Sequence, residues 1–517
     1  MSRLSTIWVL IGGIAAFSAI GPVVAAQSAA ASQSTAASQS AATALGPAPT
    51  ESAPGPVVRT ALDVAASYTY RSADEMVEPY QYNNGIDFTR NYLAAPPFLS
   101  YSVDIGRFQG LAIGFTVDLR RNFGSSFGGY FPSTNLPLSA DGSFPVSFNA
   151  ISRGVLSWTS PVLDLSIGRD KVDYGGILQG SIFPSARLPY LDAFRARARF
   201  GRLSFDYMIS SQDAIPSWDG NDVDPNAGVT SVTNPYPYGW YDSADPTSII
   251  ETYHSLSWDL GRVRVRIAEN MMIARSNNRF TVTDFLPIMF WHQGSVLPNN
   301  ETFLWSLDWT PSSDLALSLQ GGFDAFNPSF LAIPDSDTPT IPALVLGGTY
   351  ATQTGIGAAD LYFETGYTHY LWGNFSAAGQ GGISEVDPLE RCIYRYMLDA
   401  NGLAALIPLT SPYGPGALWF RLLAGQKIGA SGLRIGSDIL LLGKNTEANL
   451  VTTPYDLAVQ NAPWEFFGQF GLNLRYEAGP FEVSIEPSAC VRDGGWWMES
   501  SFAVAYHFRS VSPISGI

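Results

Sequence analysis

Arginine alternates with apolar residues in one short stretch of this chain, "FRARARF", which places Arg195, Arg197 and Arg199 at every second position. Side chains at every second position of a β-strand lie on one face of the strand. The three guanidinium groups would therefore form a row, which could attract phosphates, acidic sugars or carboxylates. A salt-bridged or solvated wall would have the same pattern, and both alternatives stay open at this point.

A second stretch repeats the pattern with Arg264 and Arg266, which alternate with apolar residues. Asp206 and Asp259 stand on the same predicted face in neighbouring stretches. An arginine that faces lipid near the middle of a membrane barrel costs roughly 2–4 kcal/mol. If this chain is a membrane barrel, the arginines are expected to point into its lumen.

Catalytic chemistry has little support in the sequence. None of the four histidines stands in a metal-binding pair or in a recognisable serine–histidine–aspartate pattern, and we predict that the protein is not an enzyme. They are His254, His292, His369 and His507.

An acidic loop, residues 211–252, carries the stretch "DGNDVD" together with interleaved aromatic residues. Clustered carboxylates suit calcium, so Asp219, Asp222 and Asp224 are a candidate calcium site, although Asp224 stands where an EF-hand has glycine. Apart from this candidate, no cofactor is expected. Aromatic rings with acids and amides also suit sugars, and an ordinary packed surface loop is the third alternative.

Alternation of apolar and polar residues recurs along the chain and predicts strands. The connections between them are alternately tight and long, which is typical of an outer-membrane barrel with short periplasmic turns and long extracellular loops. Each tight turn joins a strand pair and one strand remains at each end. The pattern therefore predicts an all-β, antiparallel transmembrane barrel of about 18 strands over residues 59–508, followed by a tail at 509–517.

The amino terminus reads as an export signal over residues 1–26, with an uncleaved anchor as the alternative. Residues 27–58 are rich in Ala, Ser and Pro and are predicted to be a leader without a core. The net charge of −16 argues against nucleic acid as a partner. We expect the protein to lie in the outer membrane of a diderm bacterium. The expected partners are membrane lipid and the barrel assembly machinery, which would recognise residues 502–508.

Two stretches resemble the Wzi-type capsule-assembly family of outer-membrane barrels. The first contains Gly168-Arg169, Tyr174-Gly175-Gly176 and Asp192, just before the arginine row, and the second covers residues 278–309. The resemblance implies a barrel of 18 strands that binds surface polysaccharide.

Two functions remain open from the sequence. The first is a polysaccharide-binding barrel, and the alternative is a porin-like channel for small anionic solutes. The two functions differ in whether the lumen is filled. Residues 284–293 are apolar enough to fold inward and plug it. Residues 387–403 are a candidate helix in a long loop. The candidate ligand-binding residues are Arg195, Arg197, Arg199, Arg264, Arg266, Arg169, Tyr174, Asp192, Trp291, His292, Asn299 and Asn300.

Overall fold

The computed structural model describes residues 57–73, 85–122, 133–138, 142–147, 149–212, 247–276, 280–287, 299–326, 340–373, 392–397, 404–448 and 460–513. The predicted export signal, most of the leader, the candidate calcium site, and Trp291 and His292 lie outside these residues.

Twenty strands account for most of the described chain. They are β1 Val57–Arg71, β2 Leu99–Phe108, β3 Leu111–Leu119, β4 Ile151–Thr159, β5 Leu163–Asp170, β6 Leu191–Phe200, β7 Leu203–Gln212, β8 Thr247–Asp259, β9 Val263–Ser276, β10 Asn299–Trp309, β11 Leu315–Ala325, β12 Ile341–Thr354, β13 Gly357–Thr368, β14 Ile393–Met397, β15 Ala404–Pro408, β16 Ala417–Lys427, β17 Leu433–Asn445, β18 Trp464–Ala478, β19 Phe481–Arg492 and β20 Gly495–Pro513.

Eighteen of the strands form one closed antiparallel sheet, in which each strand pairs with the next along the chain. The ring closes where β1 pairs with β20, from Val57 opposite Pro513 to Arg71 opposite Glu499. The predicted all-β barrel of about 18 strands is therefore confirmed. Strand pairing runs past both predicted boundaries, at 59 and 508, because the backbone beyond Phe508 still finds partners on β1.

The connections predicted to be tight all lie at one end of the barrel, and the long ones lie at the other. Gly201, between β6 and β7, has φ 65°, and Gly261, between β8 and β9, has φ 89°. Glycine enters this left-handed region at little cost, which lets two residues reverse a strand. We call these two ends the short-turn end and the long-loop end.

The outer face of the barrel is a largely apolar belt. Outward positions hold large apolar side chains that are exposed, such as Ile113, Trp158, Ile167, Phe194, Leu256, Leu346, Phe470 and Phe502. A water-soluble protein rarely exposes so large an apolar surface, whereas a transmembrane barrel presents such a surface to lipid. Among the described residues, no helix is long and apolar enough to cross a membrane.

The lumen is filled by segments that enter it from the long-loop end. Residues 171–190, between β5 and β6, contribute Ile182 and Phe183, both fully buried. The β14–β15 hairpin contributes Ile393 and Ile407, and helical turns at Gly85–Phe88 and Thr89–Leu93 add Phe88 to the same core.

Two expectations about the loops are corrected. The candidate helix at 387–403 is wrong in its described part, because Ile393–Met397 is a strand paired with Ala404–Pro408, as its β-branched and aromatic residues favour. The candidate plug at 284–293 is wrong in its described part, because Phe285 and Leu286 lie against outward residues of β7 and β8.

Candidate functional site

The arginine row on β6 points into the lumen as predicted, and each arginine has an acidic partner. Arg195 donates to Ser166 Oγ at 3.1 Å and to Asp170 at 3.4 Å. Arg197 pairs with Asp206 on β7, and Arg199 pairs with Asp164 on β5. Of the two alternatives, the geometry matches the salt-bridged wall, since each guanidinium charge is offset by a neighbouring carboxylate.

The arginines of β9 have two different environments. Arg264 pairs with Asp259 at 3.1 Å in a half-exposed position near the short-turn end. Arg266 is buried, donates to Ser257 Oγ and to the backbone carbonyl of Tyr174, and lies over the ring of Phe183. Arg266 therefore binds residues 171–190, whereas Arg264 belongs to the wall.

Arg169 and Asp192 do not join the arginine row. They are paired in register between β5 and β6 and form a two-point ion pair with distances of 2.7 and 2.6 Å. In register they share a face with Ile167 and Phe194 and stand an odd number of positions away from the arginine row. The Arg169 guanidinium lies over the Tyr190 ring, 4.0 Å from its centroid. Ligand binding by Arg169 and Asp192 stays a prediction.

Residues 171–190, which we call the crossing segment, reach the opposite wall of the barrel at Glu364 on β13. The backbone N–H of Gly180 donates to both carboxylate oxygens, at 2.9 and 2.8 Å. Trp419 Nε1, on β16, donates to the same carboxylate at 2.6 Å, and the Tyr362 hydroxyl is a further donor. Glu364 is fully buried and holds the tip of the crossing segment.

Gln320 on β11 holds the crossing segment at a second point. Its side-chain oxygen accepts from the Ser181 hydroxyl at 2.9 Å and from the Ile182 N–H at 3.1 Å, and its Nε2 donates to the Gly175 carbonyl at 2.8 Å. Together with Arg266 and Glu364, it fixes the segment to strands β9, β11 and β13.

The tip of the crossing segment fits tightly against this wall. A Cβ placed on Gly180 would overlap the Glu364 carboxylate and the Trp419 indole ring. Tyr174 stacks on Tyr253 of β8, with ring centroids 4.0 Å apart. The close fit and the hydrogen bonds together fix the crossing segment across the centre of the lumen.

The β14–β15 hairpin packs inside the lumen nearer the long-loop end. Tyr394 and Tyr396 contact Tyr190 at the end of the crossing segment, and Asn300 and Thr302 of β10 lie 3.8 and 3.6 Å from Cys392 Sγ. Asn300 thus faces the packed lumen. The backbone of Asn299 pairs with Ile273 of β9.

Burial shifts the pKa of several groups between the strands, among them Asp173 and His369. Burial raises the pKa of Asp173 to about 6, although the N–H groups of Gly175 and Gly176 bond its carboxylate and lower it again in part. Burial lowers the pKa of His369 to about 4. Among the described residues, no cluster of histidine, cysteine, aspartate and glutamate could hold a metal ion.

The main anchors of the crossing segment were not singled out from the sequence. Glu364, Gln320 and Trp419 stand on strands that the alternation predicts, and their inward direction follows from it. Nothing in the local pattern indicates which loop reaches them across the lumen.

Several solved outer-membrane barrels are similar to this chain in fold. One is Wzi of Escherichia coli, described as a carbohydrate-binding β-barrel involved in group 1 capsule assembly, with 11% identity, coverage of 89% of this chain and 85% of Wzi, and a TM-score of 0.48. Pseudomonas aeruginosa OccK2 has 12% identity, coverage of 88% and 98%, and a TM-score of 0.42. OpdK of the same organism has 10% identity, coverage of 88% and 99%, and a TM-score of 0.40. No family model and no curated protein sequence matches the chain.

Proposed function

We propose that this protein is an occluded outer-membrane barrel that binds surface polysaccharide at its long-loop end. The observation that carries the proposal is the crossing segment, which spans the lumen and is held on the far wall by Glu364 and Gln320. A barrel built for diffusion needs a continuous polar path, whereas this one fills its centre with packed apolar and aromatic side chains.

The location rests on the outer belt and on the sequence. The exposed apolar residues around the barrel match the surface that a bilayer covers. The predicted export signal at residues 1–26 gives a route to the outer membrane of a diderm bacterium. In that orientation the short-turn end faces the periplasm and the long loops face the medium.

Polysaccharide suits the long-loop end because sugars present hydroxyl groups and apolar ring faces, which bind amide, acid and aromatic side chains. The sequence places such residues in the long loops, including Trp291 and His292. The inner arginines are assigned to the wall in this proposal, since their carboxylate partners offset the charge that an anionic solute would need.

The test is single-channel recording of the refolded chain in a planar bilayer, combined with binding to isolated surface polysaccharide. We expect a folded barrel without large stable conductance steps, and saturable polysaccharide binding. The triple variant Arg195→Ser/Arg197→Ser/Arg199→Ser serves as the matched control and should bind polysaccharide like the parent. Large anion-selective steps that this triple variant reduces would refute occlusion and establish the porin-like alternative.

A further inference from the structure

The apolar outer belt is interrupted by a polar pair on β8 and β9. His254 and Glu269 are paired in register and lie on the same outward face as Leu256 and Ile267. His254 Nδ1 is 3.9 Å from Glu269 Oε2, and both side chains are almost completely buried, with 2% and 3% exposed. Polar side chains on the lipid face of a barrel are costly, so their burial needs a cover.

Residues 280–287, which we call the strap, lie over this pair. The Leu286 carbonyl is 3.1 Å from His254 Nε2, and the Phe285 carbonyl accepts from the Tyr207 hydroxyl at 2.9 Å. A carbonyl oxygen can only accept, so His254 Nε2 carries the proton of that bond. The strap therefore turns two of its backbone carbonyls towards the barrel wall.

The strap presents an apolar surface on its other side. Val282, Phe285 and Leu286 are 77%, 45% and 38% exposed. This surface is continuous with the outer belt, where Phe194 and Leu256, close to Tyr207 and His254, are exposed to a similar degree.

The strap lies at the height of the belt and not above it. Tyr207 and His254 are paired in register, and Leu203 is the first outward residue of β7 above the short turn. At about 3.3 Å per residue and a tilt of about 40°, Tyr207 lies roughly 10 Å above Leu203 in a belt about 25 Å tall.

We propose that the strap is a membrane-embedded segment whose partner is the lipid acyl chains, and that it shields the His254–Glu269 pair from them. Its carbonyls bond to the polar groups of the wall, and its apolar side chains replace the wall as the surface that lipid covers. The interaction is independent of polysaccharide binding, because it lies on the opposite side of the sheet from the crossing segment.

Nitroxide accessibility in lipid vesicles tests the proposal. A nitroxide is attached to Val282→Cys in a Cys392→Ser/Cys490→Ser background of the full chain. The controls carry the same label at Phe194→Cys, on the belt, and at Ser313→Cys, in an exposed short turn. Heat-modified mobility in gels confirms that each barrel is folded.

We expect the Val282 label to match the Phe194 label, with high collision rates for oxygen and low rates for a water-soluble nickel chelate. Collision rates that match those of the Ser313 label would overturn the proposal. Dipolar broadening between labels would also overturn it, because a second copy of the chain would then cover the strap. Tyr207→Phe removes one anchor and should increase label motion; an unchanged spectrum would refute the assigned anchoring.

Discussion

At the scale of single residues, Glu364 anchors the crossing segment to the far wall of the lumen. Its carboxylate accepts from the backbone of Gly180, from an indole and from a phenol, and these donors come from the crossing segment, β16 and β13. A buried donor left without an acceptor costs about 1–3 kcal/mol. One side chain thus links the tip of a loop to the far wall of the barrel.

Glu364→Ala should loosen the crossing segment, because it leaves the Gly180 N–H and the Trp419 N–H without their acceptor. We expect a loss of about 2–5 kcal/mol in the free energy of unfolding and the appearance of conductance steps in planar bilayers. Asp259→Asn, at a half-exposed ion pair, is the control and should cost no more than about 1 kcal/mol. If the folded Glu364→Ala variant gave no conductance steps, closure of the lumen would depend on other contacts.

Asp173 should make stability depend on pH. Its pKa is raised from 3.8 to about 6 in the folded state, so the folded barrel favours the protonated carboxyl. That stabilisation is complete below pH 3.8 and is lost as the pH rises through about 6, with a total of no more than about 3 kcal/mol.

Urea unfolding in vesicles at pH 4 to 7 measures this effect. Asp173→Asn should be more stable than the parent at pH 7 and should have a flatter profile between pH 4 and 6. Parallel profiles for the two proteins would contradict the prediction.

At the scale of elements, neighbouring strands β5, β6 and β7 are joined on the lumen side by a ladder of ion pairs. Arg199 reaches Asp164 on one side, and Arg197 reaches Asp206 on the other. Asp164 and Asp206 are buried while their arginines are partly exposed. The arginine row therefore fixes the strands to one another as well as lining the lumen.

A double-mutant cycle at Arg197 and Asp206 should show strong coupling. Asp206→Asn and Arg197→Gln each leave one charged group of the wall without its partner. The double variant should lose about 1–3 kcal/mol less free energy of unfolding than the sum of the two single losses. The same cycle at Arg264 and Asp259, which are half exposed, should give no more than about 1 kcal/mol. Equal coupling energies in the two cycles would show that burial does not strengthen the Arg197–Asp206 pair.

The strands could be predicted from the sequence, and the loop contacts could not. Alternation of apolar residues records which face meets lipid, and it places Arg195, Arg197 and Arg199 in the lumen. The strand at Ile393–Met397 is too short for a periodic pattern to separate it from a helix. The anchoring of Gly180 by Glu364 joins residues far apart in the chain, and no local pattern encodes such a pair.

At the scale of the whole molecule, β20 seals the barrel against β1 along the entire length of β1. The pairs from Val57 opposite Pro513 to Ala61 opposite Arg509 lie beyond the predicted end of the barrel at 508. These residues complete the seam at its short-turn end.

Deletion of residues 509–517 should therefore weaken the barrel, because it leaves Val57–Ala61 without this partner strand. We expect a lower temperature for the loss of heat-modified mobility in gels. Deletion of residues 514–517 alone keeps β20 complete and should leave that temperature unchanged. Equal temperatures for the two deletions would show that the end of the seam contributes nothing.

The same seam sets a condition on folding. β1 can pair early with β2, its neighbour along the chain, but its other edge is satisfied only by β20. Until these two strands meet, both edges of the open sheet present unpaired backbone groups, which are sites for aggregation. Contacts this distant in sequence also form slowly. The closed ring leaves the mature barrel without free sheet edges. We therefore expect the unfolded chain to need chaperones until β20 has paired with β1.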